Sequence, residues 1–386
     1  MYSWGRRDRP APLNPAPEPS PAPRLRSLDA LRGFDMMWIV GGDAVANGLG
    51  RMNGGPAFKA FAAQFDHVDW AGYHVYDLIF PLFVFMIGVS ITFSLGRMVA
   101  AEGRAGAVRR ILLRTLLLYV LGLFYYGGLD GAVSHIRLLG VLQRLALCYG
   151  AAGLLFVFFS PRVLLAVLVG LLVGYWALLR FVPVPGFGAG DFAEGHNLTN
   201  WLDRRFLPWR KWDGDHDPEG MLSTLPAVAS CLLGVLSGLL LRDTSRTQGR
   251  RAALLAALGA AALALGLLWS LEFPIIKKIW TSSFVLVAGG WSMLALSLFY
   301  TVIDIWKVSR WSTPFVWIGT NALAIYLATN IADFWKLASR FVGGDVSAWL
   351  DARWTGSGGL LTGLVSILLC MALGRLLYQR KVFLRL

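Results

Sequence analysis

VYDLIFPLFVFMIGVSITFSL, residues Val75–Leu95, decides the fold. Asp77 is its only charged residue, and it is long enough for a helix to cross a hydrocarbon core of about 30 Å. Its apolar residues run on without the alternation that a barrel strand needs. Only helices and closed barrels satisfy every backbone group inside lipid, so this stretch reads as a membrane helix. Further blocks of the same kind occupy Leu28–Leu49, Ile111–Tyr126, Leu138–Phe159, Val163–Val182, Met221–Leu241, Ala252–Leu271, Trp280–Ile303, Pro314–Trp335 and Leu360–Leu377. The expected fold class is all-α, a polytopic transmembrane helix bundle of about ten or eleven spans. The third and ninth blocks are the least sharply bounded.

Composition agrees. The 386 residues are 56% hydrophobic and only 15% charged, with a mean hydropathy of +0.56; a soluble domain of this size carries more charge. The formal net charge of +13 does not imply nucleic acid, because its distribution follows the spans. Basic residues collect at alternate connections: Arg6, Arg7, Arg9, Arg24 and Arg26, then Arg97, Arg104, Arg109 and Arg110, then Arg242, Arg246, Arg250 and Arg251, then Lys307 and Arg310, and last Arg380, Lys381 and Arg385. The intervening connections hold most of the acids. This is the positive-inside pattern, and it places both termini in the cytoplasm. An integral membrane protein is expected.

Residues 1–26 include the Pro/Ala tract Pro10–Pro23, without the apolar core of a signal peptide, and read as a disordered cytoplasmic tail. Residues 27–386 form one transmembrane domain. Cys148, Cys231 and Cys370 fall within spans and read as packing residues. Gly234 and Gly238 have GxxxG spacing, a face on which a homodimer could pair.

An ionisable group within a span is costly and marks function by default. The first span carries Arg32, Asp35 and Asp43; Asp77 opens the second; Gln143 and Arg144 lie in the fourth; Asn321 lies in the ninth. The plain structural reading is that Arg144 pairs with Asp43 or Asp77 to hold helices in register, and that Arg32 and Asp35 snorkel to an interface. On the outer side, His67 stands in Asp66-His67-Val68-Asp69-Trp70. A histidine can serve as general base or acyl acceptor, with Asp43, Asp66 or Asp69 to orient it; a loop histidine is more commonly only solvated. The second outward loop holds Asp213-Gly214-Asp215-His216-Asp217-Pro218-Glu219. Its glycine is misplaced for a calcium loop, so no metal is expected. Acids and tryptophans together suit a cationic sugar.

Several stretches carry a resemblance: SLDALRGFDMMWIVGGD (Ser27–Asp43), HVDWAGYHVYDLIFPLFVFMIGVSI (His67–Ile91), IRLLGVLQRL (Ile136–Leu145), DPEGMLSTL (Asp217–Leu225), KKIWTSSFV (Lys277–Val285) and PFVWIGTNALAIY (Pro314–Tyr326). In this order and spacing the chain resembles the heparan-α-glucosaminide N-acetyltransferase family of transmembrane acyltransferases. The resemblance implies acetyl-CoA as a co-substrate arriving from the cytoplasm, and an amino-sugar or glycan acceptor of glucosamine type on the far side. His67 matches the position of the family's proposed catalytic histidine. Asp43 stands where the lysosomal enzyme has an asparagine, and an ionised Asp accepts hydrogen bonds but cannot donate them. The expected site then has His67 and Asp43 as catalytic residues. Arg32, Gln143, Arg144 and Asn321 hold the cofactor, and Asp69, Trp70, Asp217, Glu219 and Trp280 bind the acceptor. The lipid bilayer is the remaining partner. A sugar permease without chemistry and a structural membrane subunit are the other classes that intramembrane polar residues allow.

Overall fold

In a computed structural model of the chain, residues 25–52, 55–128 and 130–384 are described. The expected cytoplasmic tail therefore lies outside the described residues except for Leu25 and Arg26. The described residues are helical, with no strand beyond isolated bridges such as Ala71 to Ile276.

The first expected span is not one helix. α1 (Arg26–Met37) passes through a wider π turn, Trp38–Gly42, into α2 (Asp43–Met52), and the helix is broken at Gly41. α3 (Pro56–Ala63) begins with proline, whose missing N–H is no loss at a helix start. α4 (Ile79–Tyr125) covers both the second and third expected spans. It is interrupted at Gly103, whose φ of +75° is left-handed and suits glycine. A Cβ added at Gly153 would touch Leu95 and Ile111 alike at 3.4 Å. A straight helix would hold those two residues about 24 Å apart, so the chain folds back at Gly103.

α5 (Val141–Phe158), α6 (Pro161–Phe181), the short α7 (Leu198–Phe206), α8 (Thr224–Arg242), α9 (Gln248–Trp269) and α10 (Ser282–Phe299) follow. Side chains at Asn197, Thr247 and Thr281 cap α7, α9 and α10 by accepting backbone N–H bonds. The ninth expected span is a bent pair, α11 (Thr313–Gly319) and α12 (Ala322–Ala332), turned by 77° around Thr320 and Asn321. The connection Lys336–Gly359, polar and Gly-rich in sequence and so expected to be a loop, instead holds most of α13 (Phe334–Val342) and all of α14 (Asp345–Asp351) before α15 (Ser357–Gln379). Among the described residues seven helices are long and apolar enough to cross a membrane, or eight if the bent pair is one span. Apolar side chains left exposed on them, such as Leu112, Leu116, Val120 and Phe124 on the second half of α4, suit lipid rather than water.

The bundle is held by close backbone approaches. A Cβ at Gly33 would lie 1.8 Å from the Phe315 carbonyl oxygen, and one at Gly319 would lie 1.8 Å from that of Asp29, so α1 and α11 touch backbone to backbone. Gly88 on α4 and Gly234 on α8 do the same, at 1.9 Å and 2.0 Å from the carbonyls of Cys231 and Phe85. This corrects one expectation: Gly234 and Gly238 are spent on α4 within the chain, and their GxxxG face is not open to a second copy. Cys148, Cys231 and Cys370 are buried and free. Around Val84, Ile91, Cys148, Ala152, Ala227 and Phe284 the helices α4, α5, α8 and α10 share one core.

Candidate active site

Folding places Asp77 at the third residue of a single 3-10 turn, Val75–Leu78, that leads into α4. The backbone N–H of His74 donates to its Oδ2 at 3.1 Å. The loop before it is zipped to the segment between α9 and α10: the Gly72 N–H donates to the Ile275 carbonyl at 2.9 Å, and Ala71 bridges Ile276. That pairing brings Lys277 to His67. His67 Nδ1 lies 2.9 Å from Asp77 Oδ1, and Lys277 Nζ lies 3.0 Å from the same oxygen and 3.0 Å from Nδ1. The Asp77 side chain is 2% exposed. Asp77 and Lys277 make opposite demands on Nδ1: the carboxylate accepts from a protonated Nδ1, the tautomer that leaves Nε2 basic, whereas the ammonium donates to an unprotonated one. The ring packs on Tyr76 with centroids 4.8 Å apart. Burial pulls the Lys277 ammonium below its ordinary range, and the Asp77 carboxylate opposes that pull.

Asp43 makes no such contact. It lines a separate cavity of about 380 Å³ with Thr329 and Asp333. The carboxylate within hydrogen-bond distance of the His67 ring is Asp77, not Asp43, Asp66 or Asp69. Asp69 is exposed.

His67, Tyr76, Lys277 and Glu219 line a larger cavity of about 710 Å³. It follows the first half of α4 past Phe80, Phe83, Ile87 and Ser90 to a basic end formed by Arg97, Arg110, Arg114 and Arg242. The twenty residues between Asp77 and Arg97 correspond to about 30 Å along a helix. Arg32 lies on the wall between: it donates to Ser90 Oγ at 2.9 Å and to the Gly319 carbonyl at 3.2 Å, and pairs with Asp29 at 3.3 Å. Arg97 bonds the Phe93 carbonyl at 2.9 Å, Arg114 lies over the Tyr149 ring at 4.6 Å, and Arg242 bonds the Thr92 carbonyl.

The remaining expected residues are not among those that line this cavity. Arg144 is fully buried; it donates to the Gly220 carbonyl and Ser223 Oγ, and its guanidinium lies 5.0 Å from the Trp280 ring. It pairs with neither Asp43 nor Asp77. Trp280 stands behind Phe80, whose ring meets it edge-on at 5.1 Å, so it backs the wall rather than forming it. Gln143 donates to the Arg137 carbonyl, and its Oε1 is buried without a partner. Asn321 sits buried at the α11–α12 bend, where its Oδ1 accepts the Leu384 N–H at 3.4 Å and its Nδ2 has no partner. Asp217 is enclosed: Arg137 grips it with two bonds of 2.9 Å and 2.7 Å and reaches Glu219 with a third of 2.5 Å. Tyr126 and Trp212 cover that guanidinium at 4.6 Å and 4.9 Å. Of the expected acceptor acids only Glu219 lines the cavity, and burial holds its carboxyl above the ordinary carboxylate range despite Arg144 and Arg137. Trp70 donates from Nε1 to the Phe192 carbonyl at 3.0 Å and ties the His67 loop to the connection between α6 and α7.

Sequence reasoning missed three groups. Asp77 was visible as a charge in a span, but nothing in sequence marks its partner. Lys277 lies in the KKIW stretch with no local reason to meet His67. Arg97, Arg110 and Arg242 read as topology signals, and only the fold at Gly103 brings Arg97 and Arg110 to one cavity mouth.

No family model matches the chain. It is 27% identical to human heparan-alpha-glucosaminide N-acetyltransferase over 94% of its own length and 60% of that protein. It is 26% identical to the mouse protein of the same name over 97% of its own length and 62% of the relative. The chain is similar to the heparan-alpha-glucosaminide N-acetyltransferases. It spans about three fifths of the length of these curated relatives. The matched length takes in both the His67 cluster and the basic end of the cavity.

Proposed function

We propose that this protein is a transmembrane N-acetyltransferase that moves an acetyl group from cytoplasmic acetyl-CoA to an amino sugar of glucosamine type on the opposite side. The observation that carries the reading is one cavity with two chemically different ends, arginines at one and the His67–Asp77–Lys277 cluster at the other. Arginines suit the phosphates of a nucleotide. The apolar middle, with Phe80, Phe83 and Ile87, suits an extended thioester arm. In the proposed topology α4 crosses twice and the first and ninth expected spans cross despite their breaks. That gives ten crossings with both ends on the basic, cytoplasmic side.

In the proposed reaction the acceptor nitrogen attacks the thioester carbonyl. The C–N bond forms, the C–S bond breaks, and CoA leaves as its thiolate. The proton released from nitrogen passes to His67 Nε2, and Asp77 stabilises the imidazolium. The Lys277 ammonium offsets the negative charge that develops on the carbonyl oxygen. Glu219 receives the acceptor. In a covalent variant His67 Nε2 takes the acetyl group first and passes it to the amine.

Purified protein in detergent, given acetyl-CoA and glucosamine, should release free CoA and form N-acetylglucosamine, and His67→Ala should abolish both. Unchanged glucosamine and no free CoA would reject the proposed activity. Radiolabelled acetyl-CoA supplied without acceptor should label the protein only on the covalent route.

A further inference from the structure

The large loop between α6 and α8 contains a cluster that the acyl-transfer reading does not use. Glu194 is brought from upstream in the loop to Asp213 and His216, and one ligand atom from each lies within 4.8 Å of the others. His216 is 4% exposed. Its Nδ1 lies 2.7 Å from Asp215 Oδ1, and Asp215 is itself held by Arg204 through its other oxygen at 2.7 Å. This carboxylate fixes the tautomer with hydrogen on Nδ1, so Nε2 presents its lone pair. Nε2 is buried, has no hydrogen-bond partner, and faces Glu194 Oε1 at 3.4 Å and Asp213 Oδ2 at 3.8 Å. The Lys278 ammonium stands between the two carboxylates, 3.1 Å from each.

We propose that Glu194, Asp213 and His216 form a binding site for a divalent cation of borderline softness, Zn²⁺ being the type. Two carboxylate oxygens and one imidazole nitrogen are a donor set suited to zinc; calcium prefers oxygen alone. Tetrahedral bonds of about 2.0–2.1 Å set ligand atoms roughly 3.4 Å apart; the two distances from His216 are already close to this, and the carboxylates, within 4.8 Å of each other, draw together once the ammonium between them leaves. The buried Nε2, which makes no hydrogen bond although two carboxylates face it, distinguishes this cluster from a solvated acidic loop: such an atom is costly unless something completes it. The cation displaces Lys278, and the Asp215 carboxylate acts behind His216 as an orienting partner. The Trp70 ring meets His216 edge-on at 6.4 Å, and Lys278 follows Lys277 directly. The site therefore pins the large loop to the segments that carry His67 and Lys277. Sequence gave this loop no metal because Glu194 lies outside the acidic motif and joins it only on folding.

The test uses the full chain in detergent, stripped with chelator and then titrated with Zn²⁺ alone, reading bound zinc per chain and thermal stability. One zinc per chain with a raised Tm is expected. His216→Ala should lose that site, Asp215→Asn should weaken it by roughly 10–100-fold as an orienting-partner change does, and Lys278→Gln should tighten it by removing the competing ammonium. His196→Ala, outside the cluster, should bind as the parent does. If His216→Ala fails to fold, the opposite shifts of the Asp215 and Lys278 variants decide. Less than one zinc per chain in the parent would overturn the proposal, as would equal affinity in the parent and in the His216, Asp215 and Lys278 variants.

Discussion

In the proposed reaction Asp77 is the residue that orients His67. It accepts from the His67 ring and from Lys277 at once, and its burial keeps water from competing. Asp77→Asn is expected to lower kcat by roughly 10²–10⁴-fold, the range general-base assistance supplies, while KM for acetyl-CoA stays near that of the parent. Steady-state kinetics separate the two; an equal loss in Asp69→Asn, whose side chain is exposed, would shift the orienting role elsewhere. Asp203 provides a stability test away from the reacting groups. It accepts the backbone N–H groups of Asp217 at 3.3 Å and Met221 at 2.9 Å, and burial pushes its carboxyl up to about 6 from the ordinary 3.8. The folded state thus holds this proton more tightly than the unfolded state does. Its contribution is largest below the ordinary carboxylate value, falls as pH rises from about 4 to about 6, and is level above that. Unfolding midpoints of the parent and Asp203→Asn should differ in pH slope between about pH 4 and pH 6 and run parallel below and above that window.

Among the helices, glycine is used unevenly, and this gives a paired prediction. Gly88→Ala would place a methyl group 1.9 Å from the Cys231 carbonyl between two packed helices, so α4 and α8 must separate. A loss of at least about 1–3 kcal/mol, typical of overpacking, is expected as reduced yield and a lowered Tm. Gly170 on α6 has nothing within 4 Å of an added Cβ, and Gly170→Ala should be neutral or stabilise by up to about 1 kcal/mol. Equal behaviour of the two variants would contradict the close contact. Element identity was largely legible, since a run of about twenty apolar residues has one solution in lipid. The breaks were harder. Gly41, Gly103 and the Thr320–Asn321 bend are local backbone events inside apolar runs, and hydropathy averages over them. α13 and α14 were missed for the opposite reason, because helices too short to span leave no hydropathy signal.

Across the whole molecule, the account depends on a cavity joining arginines from α4 and α8 to a loop histidine. The histidine was legible through a resemblance, whereas its partners came from the pairing of two loops far apart in sequence. The expected cofactor residues Gln143, Arg144 and Asn321 are buried behind or beside the cavity, because span position alone cannot say which side of a helix meets the open space. The basic end predicts a split by substrate length. Arg114→Gln should raise KM for acetyl-CoA severalfold with little change in kcat, and should leave turnover of acetyl-pantetheine, which has no nucleotide, unaffected. Equal effects on both donors would remove the arginines from phosphate binding.

The most direct measurement is a structure of the detergent-purified protein with acetyl-CoA bound. The account predicts the nucleotide phosphates among Arg97, Arg110, Arg114 and Arg242, with the arm along α4 and the thioester carbonyl within reach of His67 Nε2. Acetyl-CoA seated elsewhere, or with its thioester turned away from His67, would contradict it.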